Sequence, residues 1–188
     1  MTIRKIAAWV IALSMVLSLS SFACAEESEP AWGTSQSSTV EKMGEPDETD
    51  ELRDCAVLRY HDKSFGKYTS LAVYVFRNDG LICRGYLFRE DTQLSIYQDI
   101  GNELETEYGE SAHSLKTLYD YLIVTGTFSR DDMSYDTFVK EADAVQDKLQ
   151  FMTWETDSRT CICLYTALEG DQQSTYLVYY QPDDTVSE

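Results

Sequence analysis

The sequence predicts an α+β domain: an antiparallel β-sheet with helices packed on one face and a helical insertion near residues 111–150. Three observations point there. Ser70 to Phe88 reads as a β-hairpin, two runs rich in Val, Ile, Leu, Tyr and Phe around Asn78-Asp79-Gly80. Two later stretches, Gln93 to Tyr108 and Ser134 to Gln150, place apolar residues three and four apart, the spacing of one helical face. The order is then helix, three strands, one to three helices and three strands. That order groups strands together instead of alternating them with helices, which favours antiparallel pairing.

The hairpin admits two registers. A two-residue Asp79-Gly80 loop pairs Phe76 with Cys83. A three-residue loop, with Gly80 in the left-handed bulge position, pairs Arg77 with Leu81 and Val75 with Cys83. The second sorts the side chains cleanly, and a one-residue slip would mix the two sets. One face carries Leu71, Val73, Val75, Cys83, Gly85 and Leu87, small and aliphatic, and is expected to lie under helices. The other carries Tyr74, Phe76, Arg84, Tyr86 and Phe88, aromatic with a cation among the rings.

Residues 1–25 are set apart from the domain. Arg4 and Lys5 precede an apolar run, Ile6 to Leu19, too short for a comfortable membrane span, and Ala23-Cys24-Ala25 gives a small-x-small cleavage pattern. This reads as a secretory signal peptide cut after Ala25. Lipid attachment at Cys24 is the alternative, and Ser21-Phe22-Ala23 matches it poorly because an aliphatic residue is usual three places before a lipidated cysteine. Residues 26–31 form a polar lead-in, 32–181 a single domain, and 182–188 a polar, disordered tail.

Charge and cysteines bound the function further. The 188-residue chain has a formal charge of −18, and loss of Arg4 and Lys5 with the leader makes it two units more negative. Such a surface opposes nucleic acid and anionic membranes. Export permits disulfides between Cys55, Cys83, Cys161 and Cys163. Cys161 and Cys163 share one face of a strand with Cα atoms about 7 Å apart, at the limit for bridging each other. Buried free thiols are equally compatible with the spacing.

In chain order, Thr34 or Ser35 caps a short helix that runs to Met43 and stops at Gly44-Glu45-Pro46. Asp47 to Asp54 is an acidic loop, Cys55 to Tyr60 a strand, and His61 to Thr69 a polar connection. After the hairpin, Asp91 or Thr92 caps the Gln93 helix, whose stripe is Leu94, Tyr97, Ile100, Leu104 and Tyr108, and Gly109 ends it. Ser111 to Val124 suggests a helix, although Tyr121 to Thr127 also suits a strand. The Ser134 helix turns Tyr135, Phe138, Ala142, Val145 and Leu149 inward. Strands follow at Phe151 to Glu155, Thr160 to Ala167 and Thr175 to Gln181, the last two separated by Gly170-Asp171.

The segment Trp32 to Pro46, W-G-T-S-x-x-x-x-V-x-x-M-G-E-P, resembles the opening of small exported domains of the SmpA/BamE and β-lactamase-inhibitor-protein type. Thr34 stands where that pattern has Met. Glu103 to Glu110, E-L-E-T-E-Y-G-E, followed by Trp154 and a final strand pair, is similar to secreted domains of the same type. The resemblance implies antiparallel strands after the helix and work through protein–protein contact, with no catalytic residues to carry over.

Catalysis has little to build on in this sequence. His61 lies in a polar Tyr-His-Asp-Lys segment and His113 in a loop, both surface settings. No P-loop, dinucleotide fingerprint, calcium loop or C-x-x-C pair occurs, so no cofactor or metal is expected. The expected function is therefore a secreted, non-enzymatic domain that binds a protein or cell-envelope component through its sheet face. The expected site is Tyr74, Phe76, Arg84, Tyr86 and Phe88, because exposed aromatics beside an arginine make interface anchors. Those aromatics also suit cross-strand pairs favoured by β-propensity, or cover by the 134–150 helix. The alternative function is a secreted hydrolase using paired carboxylates.

Overall fold

The run Leu71-Ala72-Val73-Tyr74-Val75-Phe76 offers no polar face to water, so the strand it forms must be buried on both sides. In the computed structural model, which describes residues 29–89, 94–144, 149–169 and 172–182, that strand lies inside a seven-stranded antiparallel sheet. The strands are β1 (Glu48–Leu52), β2 (Cys55–Phe65), β3 (Tyr68–Arg77), β4 (Gly80–Phe88), β5 (Phe151–Glu155), β6 (Cys161–Glu169) and β7 (Gln172–Tyr180). Their spatial order is β1-β2-β3-β4-β7-β6-β5. The helices are α1 (Gln36–Met43), α2 (Ser95–Tyr108), α3 (Leu115–Val124) and α4 (Tyr135–Ala144). The antiparallel α+β class is as the sequence predicts.

Helices cover both faces, not one. Val40 and Met43 of α1 and Tyr97, Ile100 and Leu104 of α2 join the core on the aromatic face. Leu118, Tyr119 and Val124 of α3 and Phe138 of α4 join a second core on the aliphatic face. The physical reason is the unbroken apolar run of β3 and its neighbours, which leaves two faces to bury.

The hairpin register is the expected one in its body, with Val75 opposite Cys83 and Val73 opposite Gly85. Its turn differs. Arg77 pairs with Gly80, and the two turn residues are Asn78 (φ 50°) and Asp79 (φ 63°), both left-handed. Asn and Asp tolerate that region because their short polar side chains bond locally. The extra residue that restores the register is Ile82, between the Val75–Cys83 and Phe76–Leu81 pairs. Asp79 also accepts the Gln36 backbone N–H at 3.0 Å, so the turn braces the start of α1, where Ser35 accepts from Ser38 N–H.

Other elements depart from expectation where local composition hides them. The acidic stretch expected as a loop forms β1, an edge strand exposed at every position and paired, among the described residues, with β2 alone. With no buried face it has no apolar alternation to read. The connection expected after Tyr60 is instead the continuation of β2, irregular between Tyr60 and Lys63 with Asp62 at φ 53°, and it buries Phe65. Residues 111–124 resolve as a loop followed by α3, capped by Ser114, and the strand alternative there does not occur. The loop pairs Ala112 with Thr153 and so closes the outer edge of β5. On α4, Phe138 and Ala142 face inward while Tyr135 is exposed, and Leu149 lies beyond the helix. The expected leader, Cys24, the Asp91 or Thr92 cap, Val145, the Gly170-Asp171 turn and the tail from 183 onward lie outside the described residues.

Candidate functional site

The five residues expected to form a binding face are placed together, but inside the protein. Tyr74, Phe76, Tyr86 and Phe88 are at most 5% exposed. They pack against Phe65, whose ring lies 4.6 Å from Tyr86 and 5.7 Å from Phe88, and against Tyr60, 5.6 Å from Tyr74. Arg84 is half-buried, its guanidinium 5.2 Å from the Trp32 ring and 5.0 Å from the Tyr179 ring. An open aromatic interface is thereby ruled out. The cover consists of α1, α2 and the segment from Glu29 to Thr34, not the 134–150 helix, because α4 packs on the opposite face.

A concavity among the described residues lies on the aliphatic face instead. A cross-strand row runs Arg59, Val73, Gly85, Val178, Cys163, Thr153 from β2 to β5. A neighbouring row runs Leu71, Leu87, Tyr176, Tyr165, Phe151. Helices α3 and α4 close the β6–β7 half of these rows, and the β2–β4 half is left as a groove of about 350 Å³. Its floor includes Leu71, Val73, Gly85, Leu87 and Tyr176. Tyr121, Thr125 and Thr127 line it from α3 and its C-terminus, Leu52 lies beside them next to Gly126, and Arg59 and Arg89 are its charged positions.

Gly85 gives the groove its depth. A Cβ there would sit 3.4 Å from the Leu177 carbonyl and 3.5 Å from Val178, ordinary contact, so the backbone does not require glycine. A glycine inside a strand leaves room where a neighbour or ligand approaches closely. Tyr121 has its phenol pushed well up, first by burial, and the paired Tyr165 likewise, so this wall stays neutral and protonated. The rings of Tyr165 and Tyr176 stack at 4.8 Å with 4° between planes. That holds the Tyr176 side of the floor rigid.

The groove holds shape more than chemistry. No Asp or Glu lines it. Cys83 does, but burial pushes its thiol far up, so it is no thiolate nucleophile. Arg59 lies 3.4 Å from Asp50 and 4.0 Å from Glu48 on β1. All four domain cysteines are buried and free, which decides between the thiol and disulfide readings. Among the described residues no group of three or more His, Cys, Asp or Glu is placed to hold a metal ion. His61 is on the surface against Glu48 at 3.0 Å, and His113 packs edge-on to Phe151.

Sequence reasoning put Leu71, Val73, Gly85 and Leu87 on one face and buried that face under helices. What it lacked was the extent of the cover: α3 packs with β6 and β7 and meets β3 at its last residue, where the Val124 carbonyl accepts from Arg77, which leaves Leu71, Val73 and Leu87 along the groove. The interior glycine was the available signal. Comparison of the chain with protein-family models, curated proteins and solved structures found no match.

Proposed function

We propose that this is an exported, non-enzymatic domain that binds a protein or cell-envelope component by taking one of its apolar groups into the groove over β2, β3 and β4. The observation that carries this is the groove itself, about 350 Å³ over an apolar floor, on the face of the sheet opposite the one packed by α1 and α2. That volume lies in the range of about 300–1,000 Å³ typical of small-molecule and side-chain pockets. The apolar run and small-x-small pattern of residues 6–25 support export, and the resemblance of Trp32 to Pro46 to contact-making exported domains supports binding over catalysis.

The hydrolase reading draws no comparable support. Glu103 is a carboxyl raised by burial, but it stands on α2 with Lys67 and Asp99 as its charged neighbours, away from the groove.

The test is titration with an environment-sensitive apolar dye, comparing wild type with Gly85→Leu, which fills the floor. Circular dichroism verifies that both are folded. Saturable dye fluorescence in wild type, reduced at least tenfold in affinity by Gly85→Leu, is the expected result. Equal signals from the two proteins would remove the groove as a binding site.

A further inference from the structure

The opposite face of the sheet contains a polar arrangement that the groove does not use. Glu29 reaches the aromatic face from the segment preceding α1. Its two carboxylate oxygens accept hydrogen bonds from different phenols, Tyr74 at 2.8 Å and Tyr86 at 2.7 Å. The rings are fixed in place by Tyr60 and Phe65, so both O–H groups converge on one point without further ordering. Beside them, Arg84 is clamped between Trp32 and Tyr179, and its Nε is buried with no hydrogen-bond partner among the described residues.

Two convergent O–H donors next to a guanidinium make a recognition set for a carboxylate. Burial, followed by the nearby Glu29 charge, pushes both phenols well up, so they remain donors at any physiological pH. The acid that satisfies this set does not belong to the sheet. It arrives on a strap, residues 29–34, tied down by Lys42 Nζ to the Glu29 carbonyl at 2.8 Å. Backbone bonds from Gly33 N–H to Leu81 and from Leu81 N–H to Thr34, both 3.0 Å, complete its attachment. The strap thus behaves as a ligand that happens to be covalently joined.

We propose that Tyr74, Tyr86 and Arg84 form a carboxylate-binding site that the chain fills with its own Glu29, and that accepts an organic carboxylate when Glu29 is withdrawn. The site lies across the sheet from the groove and does not depend on the function proposed for it.

Chemical rescue in the full chain tests this. Glu29→Ala leaves two buried donors unsatisfied and is expected to melt roughly 5–10 °C below wild type. Propionate should restore at least half of that loss, saturably, while propionamide and chloride at matched ionic strength restore none. Adding Tyr74→Phe and Tyr86→Phe to Glu29→Ala should abolish the rescue. Equal rescue by propionamide, or rescue that persists without the phenols, would overturn the proposal. Should Glu29→Ala not fold, the Tyr74→Phe/Tyr86→Phe protein with Glu29 intact gives a second reading. Hydrogen exchange at the Gly33 amide should then be at least tenfold faster than in wild type, and an unchanged rate would overturn the proposal equally.

Discussion

Arg77 and Val124 join the β3–β4 hairpin to the end of α3: Arg77 Nη2 donates to the Val124 carbonyl at 2.9 Å, while Arg77 Nε lies 2.9 Å from Asp54. A helix end leaves orphan carbonyls, and a cation there meets both the hydrogen-bonding need and the negative end of the helix dipole. Val124 is 1% exposed, so water cannot substitute. Arg77→Leu should therefore cost about 2 kcal/mol, seen as a lower urea midpoint with an unchanged slope. The nearby Arg53–Asp132 pair is roughly half-exposed on both sides, and Asp132→Asn should leave the urea midpoint nearly unchanged. Equal effects at the two sites would contradict the assignment of a buried helix stop to Arg77.

Asp79 serves two elements at once, as a left-handed turn residue and as the acceptor for Gln36 N–H. Asp79→Ala removes both and should cost about 1–2 kcal/mol. Asp79→Asn preserves the backbone preference and a side-chain oxygen, and should cost about half as much or less. Asp79→Gly separates the roles, because it keeps the turn and loses the cap. Thermal melts of the three variants should fall in the order Asn highest, Gly intermediate and Ala lowest.

Titration should weaken the fold on the alkaline side. Burial holds the Cys83 and Cys163 thiols well above the ordinary value of 9.0, and holds the Tyr97 phenol up to about 12 from 10.0. For each group the folded value exceeds the unfolded one, so the contribution is complete below the unfolded value and is lost as pH rises toward the folded value. The urea midpoint should accordingly be level near pH 7–8 and decline from about pH 9 upward. A Cys83→Ala/Cys163→Ala protein should show a shallower decline between about pH 9 and 10. A level profile through pH 11 would contradict the burial of these groups.

The same burial predicts thiol silence. Cys55, Cys83, Cys161 and Cys163 are all buried and free, so a thiol reagent should label none of them in the native protein and all four in denaturant. Rapid native labelling of any of the four would show that its strand opens more readily than the packing implies.

Legibility in the sequence followed periodicity. The hairpin faces and the α2 stripe were readable because each sorts its side chains at a period of two or of 3.6 residues. The strand β1 was not, because Glu48-Thr49-Asp50-Glu51-Leu52 buries no side chain and is held by backbone pairing and by surface contacts of Glu48 and Asp50 with Arg59 and His61. The turn was misplaced by one residue because glycine attracts the left-handed assignment, while Asn78 and Asp79 can take it together. The aromatic residues were grouped correctly, yet their exposure could not be judged. Whether Tyr74 and Tyr86 meet water depends on segments distant in sequence folding over them, Glu29 more than 40 positions earlier and the helices α1 and α2 among them. Cover is a long-range property, and a local pattern does not encode it.

The two ends of the sheet have different fates. The outer strand at the β5 end is bridged at Thr153 by Ala112, but among the described residues β1 pairs on one side alone and carries Glu48, Asp50 and Glu51 exposed along it. A second copy adding itself there would set carboxylates against carboxylates at strand spacing, about 5 Å apart. The acidity of β1 thus opposes edge-to-edge pairing of two copies, a protection that should fade at low pH or high salt, where those charges are neutralised or screened.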